Sequence, residues 1–443
     1  MKILMISYAY DTFPIHIFTG SQRAFSFTKY MTREGVDVHV MSFRDRMSEF
    51  KKTGGYGEPV YRTLDMLGMI SRIIGKPASP VIKQKPMLFR TRQNVEPTYS
   101  RGWVKRLFYI PDRQWLWALN AFRAAATLHK NEHYDVVLTS SPPESSHIAG
   151  MLLKKWCHIP WVADMRDGWM FEPYLYFRSL RGFRRWLECE IERFLLSKAD
   201  AITAVTQPII DDLISRLKVT HYKAAIIPNG FDPEEWYTMN EGAYGRKSFL
   251  SYEKGKMCIV HVGRLSEARG DRKADHFFRA LYELKKANPT LSDELSVFLV
   301  GVERGAEVDM IRSLSLNDIV HSHHYVPKSE AATIMRDADV LLLVTSVGQK
   351  SIATSKLFDY MAAERPVMAL ADANAAAEIV RQAGIGLCVN PMKTNEIKDA
   401  LLNFMKWWKQ DNYPFRRNED IIRNFSRRNQ AEEMVKILSA VAK

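Results

Sequence analysis

The sequence predicts an α/β protein built from two domains, each a doubly wound parallel sheet. Three observations carry that expectation. At 443 residues the chain exceeds one ordinary core, since single hydrophobic cores stop growing near 250–300 residues. Short apolar runs of strand length alternate with helix-length amphipathic stretches. The alternation then restarts after Pro228-Asn229-Gly230, a turn-forming tripeptide.

Taken in order, residues 2–8 read as a buried strand. A glycine-containing turn around Thr19-Gly20-Ser21 follows, then a helix with Ala24, Phe27 and Met31 on its apolar face. Residues 36–43 read as a second strand, which completes a parallel βαβ unit with a right-handed crossover. Strands over 134–139, 161–163 and 201–205 repeat the grammar. The second domain reads as strands over 258–262, 295–300, 319–321, 340–343 and 367–369, with helices over 276–287 and 328–338 among the connections. Residues 424–441 read as one amphipathic helix bearing Ala431, Met434, Val435 and Leu438. The expected organisation is a Rossmann-like domain over 1–220, another over 221–414, and a helical segment over 415–443 that returns to the N-terminal domain.

Residues 44–108 do not follow this grammar and read as an insertion. Residues 44–106 hold fourteen Lys and Arg against five Asp and Glu, a local excess of +9 within a net charge of +13. Aliphatic residues such as Leu67, Met69, Ile70, Ile73 and Ile74 lie between the cations. A solvated insertion is one reading; a cationic surface for anionic lipid is the other. The four cysteines have no paired spacing, which argues against a zinc site and a disulfide framework and favours a reducing cytoplasm. No signal peptide or membrane-spanning run is expected. A nucleic-acid-binding protein would interleave aromatic and basic residues on one platform, and the concentration of charge in an aliphatic-rich segment speaks against it.

Chemistry concentrates in two stretches. His261-Val262-Gly263-Arg264-Leu265 closes the second domain's first strand, and ligands of doubly wound sheets bind outside the carboxyl ends of the strands. Arg264 and Arg269 there suit two phosphates; Glu267 is the alternative partner for Arg264. Residues 349–361, after the apolar strand, form a small-residue loop entering a helix, whose free N–H groups and dipole suit a diphosphate. Asp359, one to two turns in, suits a pair of ribose hydroxyls.

G-R-L-S-E-A-R-G, S-I-A-T-S-K-L-F-D-Y-M-A-A-E-R-P-V-M-A and I-I-P-N-G-F-D together resemble the donor domain of the retaining glycosyltransferases of family 4, which have the GT-B fold. D-V-V-L-T-S-S-P-P-E and V-A-D-M-R-D-G-W resemble the branch that builds bacterial surface polysaccharides. The resemblance implies two Rossmann-like domains facing a central cleft. It implies that Arg264 grips the diphosphate, with Arg269 where the family usually carries Lys. Ser351, Ile352, Ala353, Thr354, Ser355 and Lys356 would meet the donor. Asp359 holds the second acidic position of the family's Glu-x7-Glu motif, and Ser351 departs from the first. Tyr325 and Val326 match the turn against the nucleobase, and Gly20 a glycine loop facing the donor phosphates. Arg166 stands where many members have His, and Asp167 matches the Asp that follows; with Asp164 they are the catalytic candidates.

The implied reaction moves a sugar from a nucleotide-sugar to an acceptor hydroxyl with retention, in surface polysaccharide or glycolipid assembly. The departing phosphate takes the acceptor's proton, so no protein nucleophile, cofactor or metal is expected. The expected partners are a nucleotide-sugar, a sugar or lipid-linked acceptor and an anionic membrane surface through 44–108. No nucleic acid is expected, and the place would be the cytoplasm, peripheral to the inner membrane face. A nucleotide-sugar epimerase of the same architecture is the enzymatic alternative.

Overall fold

The computed structural model describes residues 1–10, 19–44, 50–65, 109–172, 180–220, 223–241, 248–253, 255–265 and 274–442. They divide into two compact units. Met1–Val205, Ile209–Ile226 and Ala431–Lys443 form the first; Thr206–Pro208 and Ile227–Gln430 form the second.

In the first unit the strands are β1 (Lys2–Ser7), β2 (Asp37–Arg44), β3 (Lys51–Thr53), β4 (Pro59–Leu64), β5 (Val136–Ser141), β6 (Trp161–Met165), β7 (Ala201–Ala204) and β8 (Ala224–Ile226). They align as β3-β4-β2-β1-β5-β6-β7-β8, with all neighbours parallel except the β3–β4 pair. The order reverses between β1 and β5, which makes that junction the unit's switch point. Helices α1 (Thr19–Arg33), α2 (Trp115–Glu132), α3 (Ser146–Cys157), α4 (Gly182–Ser197) and α5 (Gln207–Ser215) punctuate the strands.

The second unit begins with α6 (Pro233–Glu241) and holds β9 (Met257–Val262), β10 (Leu295–Val300), β11 (Val320–His323), β12 (Val340–Val344), β13 (Val367–Leu370) and β14 (Gly386–Val389). They form one parallel sheet in the order β11-β10-β9-β12-β13-β14, with its switch point between β9 and β12. Its further helices are α7 (Asp275–Ala287), α8 (Ala306–Ser313), α9 (Lys328–Asp337), α10 (Ser355–Ala362), α11 (Ala375–Gln382), α12 (Thr394–Lys409) and α13 (Glu419–Arg423). Along β12 successive side chains enter opposite layers: Val340, Leu342 and Val344 join one apolar cluster, Leu341 and Leu343 the other. Covered on both faces, such a strand reads as an unbroken aliphatic run.

Three expectations are corrected. Thr19-Gly20-Ser21 is not a turn ahead of a helix but the first turn of α1, where backbone N–H groups lack intrahelical partners and glycine's interior penalty is small. The segment 44–108 is not wholly an insertion, because residues 51–53 and 59–64 are β3 and β4; Val60 and Tyr61 are buried there. Residues 45–49 and 66–108 of it lie outside the described residues. The C-terminal helix does not start at Asn424. Phe231 N–H donates to Phe425 O at 3.1 Å and Arg427 N–H donates to Phe231 O at 2.9 Å, so the backbone is spent on a bridge and α14 runs over Arg427–Val441. Ala431, Met434 and Leu438 of α14 are fully buried, as its apolar pattern predicts.

Candidate active site

The second unit's switch point gathers most of the predicted donor-binding residues. Gly263, just past β9, has φ +91°, and a Cβ there would stand 2.7 Å from Lys356 Cε. Glycine therefore serves twice, once for the turn and once for the close approach. Lys356 Nζ donates to Arg264 O at 2.8 Å, which ties the first turn of α10 to the β9 exit. Arg264 itself is exposed. Tyr360, buried on the next turn of α10, accepts from Val262 N–H at 3.0 Å and reaches Leu342 O at 3.3 Å. The helix is thereby pinned to both strands of the switch point. His261 Nδ1 lies 2.8 Å from Leu342 O; a carbonyl only accepts, so that nitrogen carries the proton.

The loop after β12 is braced from α11, whose residues were not singled out in the sequence. Asn374 accepts from Ala377 N–H at 2.9 Å and donates through Nδ2 to Thr345 Oγ1 at 3.0 Å. Ala375 N–H donates to Lys350 O and Ala376 N–H to Ile352 O, at 2.8 and 3.0 Å. Asn374 ahead of an alanine run is an N-cap pattern that sequence could have flagged; its bond to Thr345 has no such local signal.

Within this loop three buried polar atoms have no partner among the described residues: Ser346 Oγ, Gln349 Oε1 and Thr354 Oγ1. Buried polar groups are seldom left so, and a concentration of them marks a place where hydrogen bonds are to be completed from outside. Thr354 is the residue ahead of α10, so its orphaned hydroxyl stands at the positive end of an eight-residue helix. One turn further, the carboxylate of the half-buried Asp359 accepts no hydrogen bond among the described residues. Burial pushes its carboxyl up to about 6, against the opposing pull of Lys328 and Arg427. Tyr325 is 43 % exposed and Val326 buried, at the exit of β11. Arg269 lies outside the described residues.

The first unit's candidates are placed differently. Asp164 on β6 is fully buried and receives Arg23 Nε and Nη2 at 3.0 and 2.8 Å, Ser140 Oγ at 2.9 Å and Thr203 Oγ1 at 2.8 Å. Ser140, Asp164 and Thr203 stand in register on β5, β6 and β7. Burial raises the Asp164 pKa, but Arg23 and the hydroxyls outweigh it and hold the carboxyl below its usual range. With four donors on two oxygens it is an anchor for three strands. Arg166 donates from Nε to Ser141 O at 2.6 Å and from Nη2 to Pro142 O at 2.8 Å, which joins the β6 exit to the β5 exit. Asp167 is half-buried beside it, and Glu144 nearby is held well above the carboxylate range by burial, with Asp112 and Asp167 adding to the effect. Gly20 lies in the first turn of α1. Among the described residues no three His, Cys, Asp or Glu side chains come together so as to hold a metal ion.

Comparison with known proteins gives this geometry its family. Residues 20–235 match the model of Glycosyltransferase Family 4, and residues 256–406 match that of Glycosyl transferases group 1. Among solved structures, a glycosyltransferase from Rickettsia africae aligns with TM-score 0.58 at 13% identity, covering 100% of this chain and 98% of that one. HepE from Anabaena in complex with UDP and glucose aligns with TM-score 0.59 at 14% identity over 99% and 100% of the two chains. An α,α-trehalose-phosphate synthase from Burkholderia xenovorans, solved with glucose-6-phosphate, aligns with TM-score 0.65 at 13% identity over 99% and 100%. No curated protein matches by sequence. With one glycosyltransferase model matched in each half and GT-B neighbours along its length, the chain belongs to the GT-B glycosyltransferases of these two families.

Proposed function

We propose that the chain transfers a sugar from a nucleotide-sugar to an acceptor hydroxyl with retention at the anomeric carbon, without a metal, in surface polysaccharide or glycolipid assembly. The observation that carries the donor assignment is the loop over 346–354. Its orphaned Ser346, Gln349 and Thr354 groups stand beside the exposed Arg264 and the unbonded Asp359. A nucleoside diphosphate would supply phosphate oxygens for the cation, the hydroxyls and the helix N-terminus, and ribose hydroxyls for the carboxylate. That the Anabaena neighbour was solved with UDP and glucose supports the same reading.

In the step, the bond from the anomeric carbon to the diphosphate oxygen breaks and a bond to the acceptor oxygen forms on the same face. The acceptor's proton passes to the departing phosphate. Arg264, Lys356 and the α10 N-terminus stabilise the charge that develops there, a role in which preorganised cations and dipoles are effective. Asp164 acts as a positioning residue that fixes β6, while Arg166 and Asp167 face the acceptor. The surface-polysaccharide assignment rests on the resemblance of V-A-D-M-R-D-G-W and D-V-V-L-T-S-S-P-P-E. The basic segment 44–108 would bring the enzyme to an anionic membrane surface bearing a lipid-linked acceptor.

Thermal shift against UDP-, GDP- and other nucleotide-sugars identifies the donor, because a ligand that binds only the folded chain raises its melting temperature. Product analysis with and without acceptor then separates transfer from epimerisation. Turnover is expected to survive EDTA; loss on chelation that magnesium or manganese restores overturns the metal-free mechanism.

A further inference from the structure

Helix α4 buries Leu195 and Leu196 as a surface helix does, but its glutamates and aromatics are placed unusually for a helix in water. Its inward face buries two carboxylates: Glu188 is fully buried against Arg184, and Glu192 receives Arg216 Nη1 at 2.8 Å and Met170 N–H at 3.3 Å. Its outward face leaves Phe183, Trp186 and Phe194 at 69, 55 and 57 % exposure. At about 100° per residue these three aromatics fall within an arc of about 80°, opposite the glutamates. Burying glutamates while exposing aromatic rings costs stability on both counts, so the outer face calls for a partner that removes it from water.

The charge around the stripe says which partner. Because Glu188 and Glu192 point inward, the outward charges are Arg181, Arg185, Arg193 and Lys198 against Glu190 alone. Lys198 Nζ lies over the Phe194 ring at 5.7 Å. Lys154 Nζ, donating to Lys198 O at 2.8 Å, joins the end of α3 to the end of α4. The neighbouring Trp156 is 65 % exposed beneath the Lys155 ammonium. Exposed aromatics rimmed by cations are the dress of a surface that settles at the headgroup level of a bilayer. We infer that the outer face of α4, extended by Trp156 at the end of α3, docks the enzyme on an anionic lipid bilayer, an assignment that rests on the membrane association proposed above and gives it a described element. The rings enter the interface and the cations meet anionic headgroups. Through Glu192 and Met170 the inner face of the same helix is bonded to the segment that follows Arg166 and Asp167, so the candidate acceptor loop is anchored to the docking element.

The test is co-sedimentation of the full chain with vesicles of phosphatidylglycerol and phosphatidylcholine, and with phosphatidylcholine alone. Wild type is expected to bind the anionic vesicles and to release as salt rises. The variant Phe183→Ser/Trp186→Ser/Phe194→Ser should bind at least about tenfold less, since insertion depends on the apolar area lost. Arg185→Glu/Lys198→Glu should weaken binding at low salt, and being confined to the surface it keeps the test open if the triple variant misfolds. Unchanged nucleotide affinity in each variant confirms a folded chain. Wild type that ignores anionic vesicles overturns the inference, as does a triple variant that binds like wild type. If only Lys83→Glu/Lys85→Glu/Arg90→Glu/Arg92→Glu abolishes binding, membrane association stands but α4 is not its element. A concentration-dependent dimer that the triple variant dissolves would assign the stripe to a second copy instead. Vesicle binding without sugar transfer would sink the enzymatic proposal and leave this one intact.

Discussion

The carboxyl ends of the two sheets carry similar residue types and use them in opposite ways. In the first unit the charged groups at the ends of β5 and β6 are bonded to the protein itself, while the Ser141, Ser145 and Ser146 hydroxyls and His147 Nε2 have no partner among the described residues. Asp164 takes four hydrogen bonds from Arg23, Ser140 and Thr203, and Arg166 spans to the carbonyls of Ser141 and Pro142. In the second unit Arg264 is exposed, and among the described residues the Asp359 carboxylate and three loop atoms past β12 have no hydrogen-bond partner. A buried charge with its partners in place holds strands together; a charge and hydroxyls without partners hold a place for a ligand. Mutations at the first end should therefore register in stability, and those at the second in binding.

The largest effect is expected from Asp164→Ala, which strips the buried Arg23 of its carboxylate. Breaking such a buried pair costs about 3–5 kcal/mol. Urea unfolding should show the loss in full, and a change under about 1 kcal/mol would erase the contrast between the two ends. Next comes Arg264→Ala, expected to weaken nucleoside diphosphate binding by about 1.5–3 kcal/mol, the size of charge-assisted hydrogen bonds, with the ligand-free melting temperature unmoved. Calorimetry that finds affinity unchanged would return Arg264 to the solvated surface.

The smallest effect sharpens the comparison through pH. The Asp359 carboxyl sits at about 6 in the fold against an ordinary 3.8. A raised acid destabilises the folded chain once ionised, so the cost is absent below about pH 4, grows through the interval up to 6 and is complete above it. Asp359→Asn should therefore stabilise the ligand-free chain near neutral pH by about 1 kcal/mol after allowance for solvent screening. The same variant should lose donor affinity. In wild type that affinity should rise between pH 5 and 7, because only the carboxylate accepts from ribose. Flat affinity over that interval would remove Asp359 from the donor site.

Much of this was legible in residue order, for reasons that are local. Strands covered on both faces must be aliphatic throughout, so 295–300 and 340–344 announced themselves. The glycine at 263 and the small residues of 351–355 marked the turn past β9 and the loop that enters α10. The edge strand β3 and its inner neighbour β4 were not legible: β3 is short and its Lys51, Lys52 and Thr53 are all exposed, and β4 buries Arg62 and Thr63 beside Val60 and Tyr61, which breaks the aliphatic run. Nor was the brace from Asn374 to Thr345, which joins residues 29 positions apart through the β13 crossover.

Residue order by itself determined the two parallel α/β units and the residue types at their strand ends, because periodicity and backbone requirements are properties of neighbours along the chain. Only the tertiary structure decided which polar groups are committed and which are open. Asp164 and Asp359 are indistinguishable as letters, yet one lies opposite Ser140, Arg23 and Thr203 while the carboxylate of the other finds no donor among the described residues. It also decided that α4 turns its glutamates inward and its aromatics out. Which face of a helix meets the protein is set by what packs against it, and those partners, Met170 and Arg216, come from distant stretches of the chain.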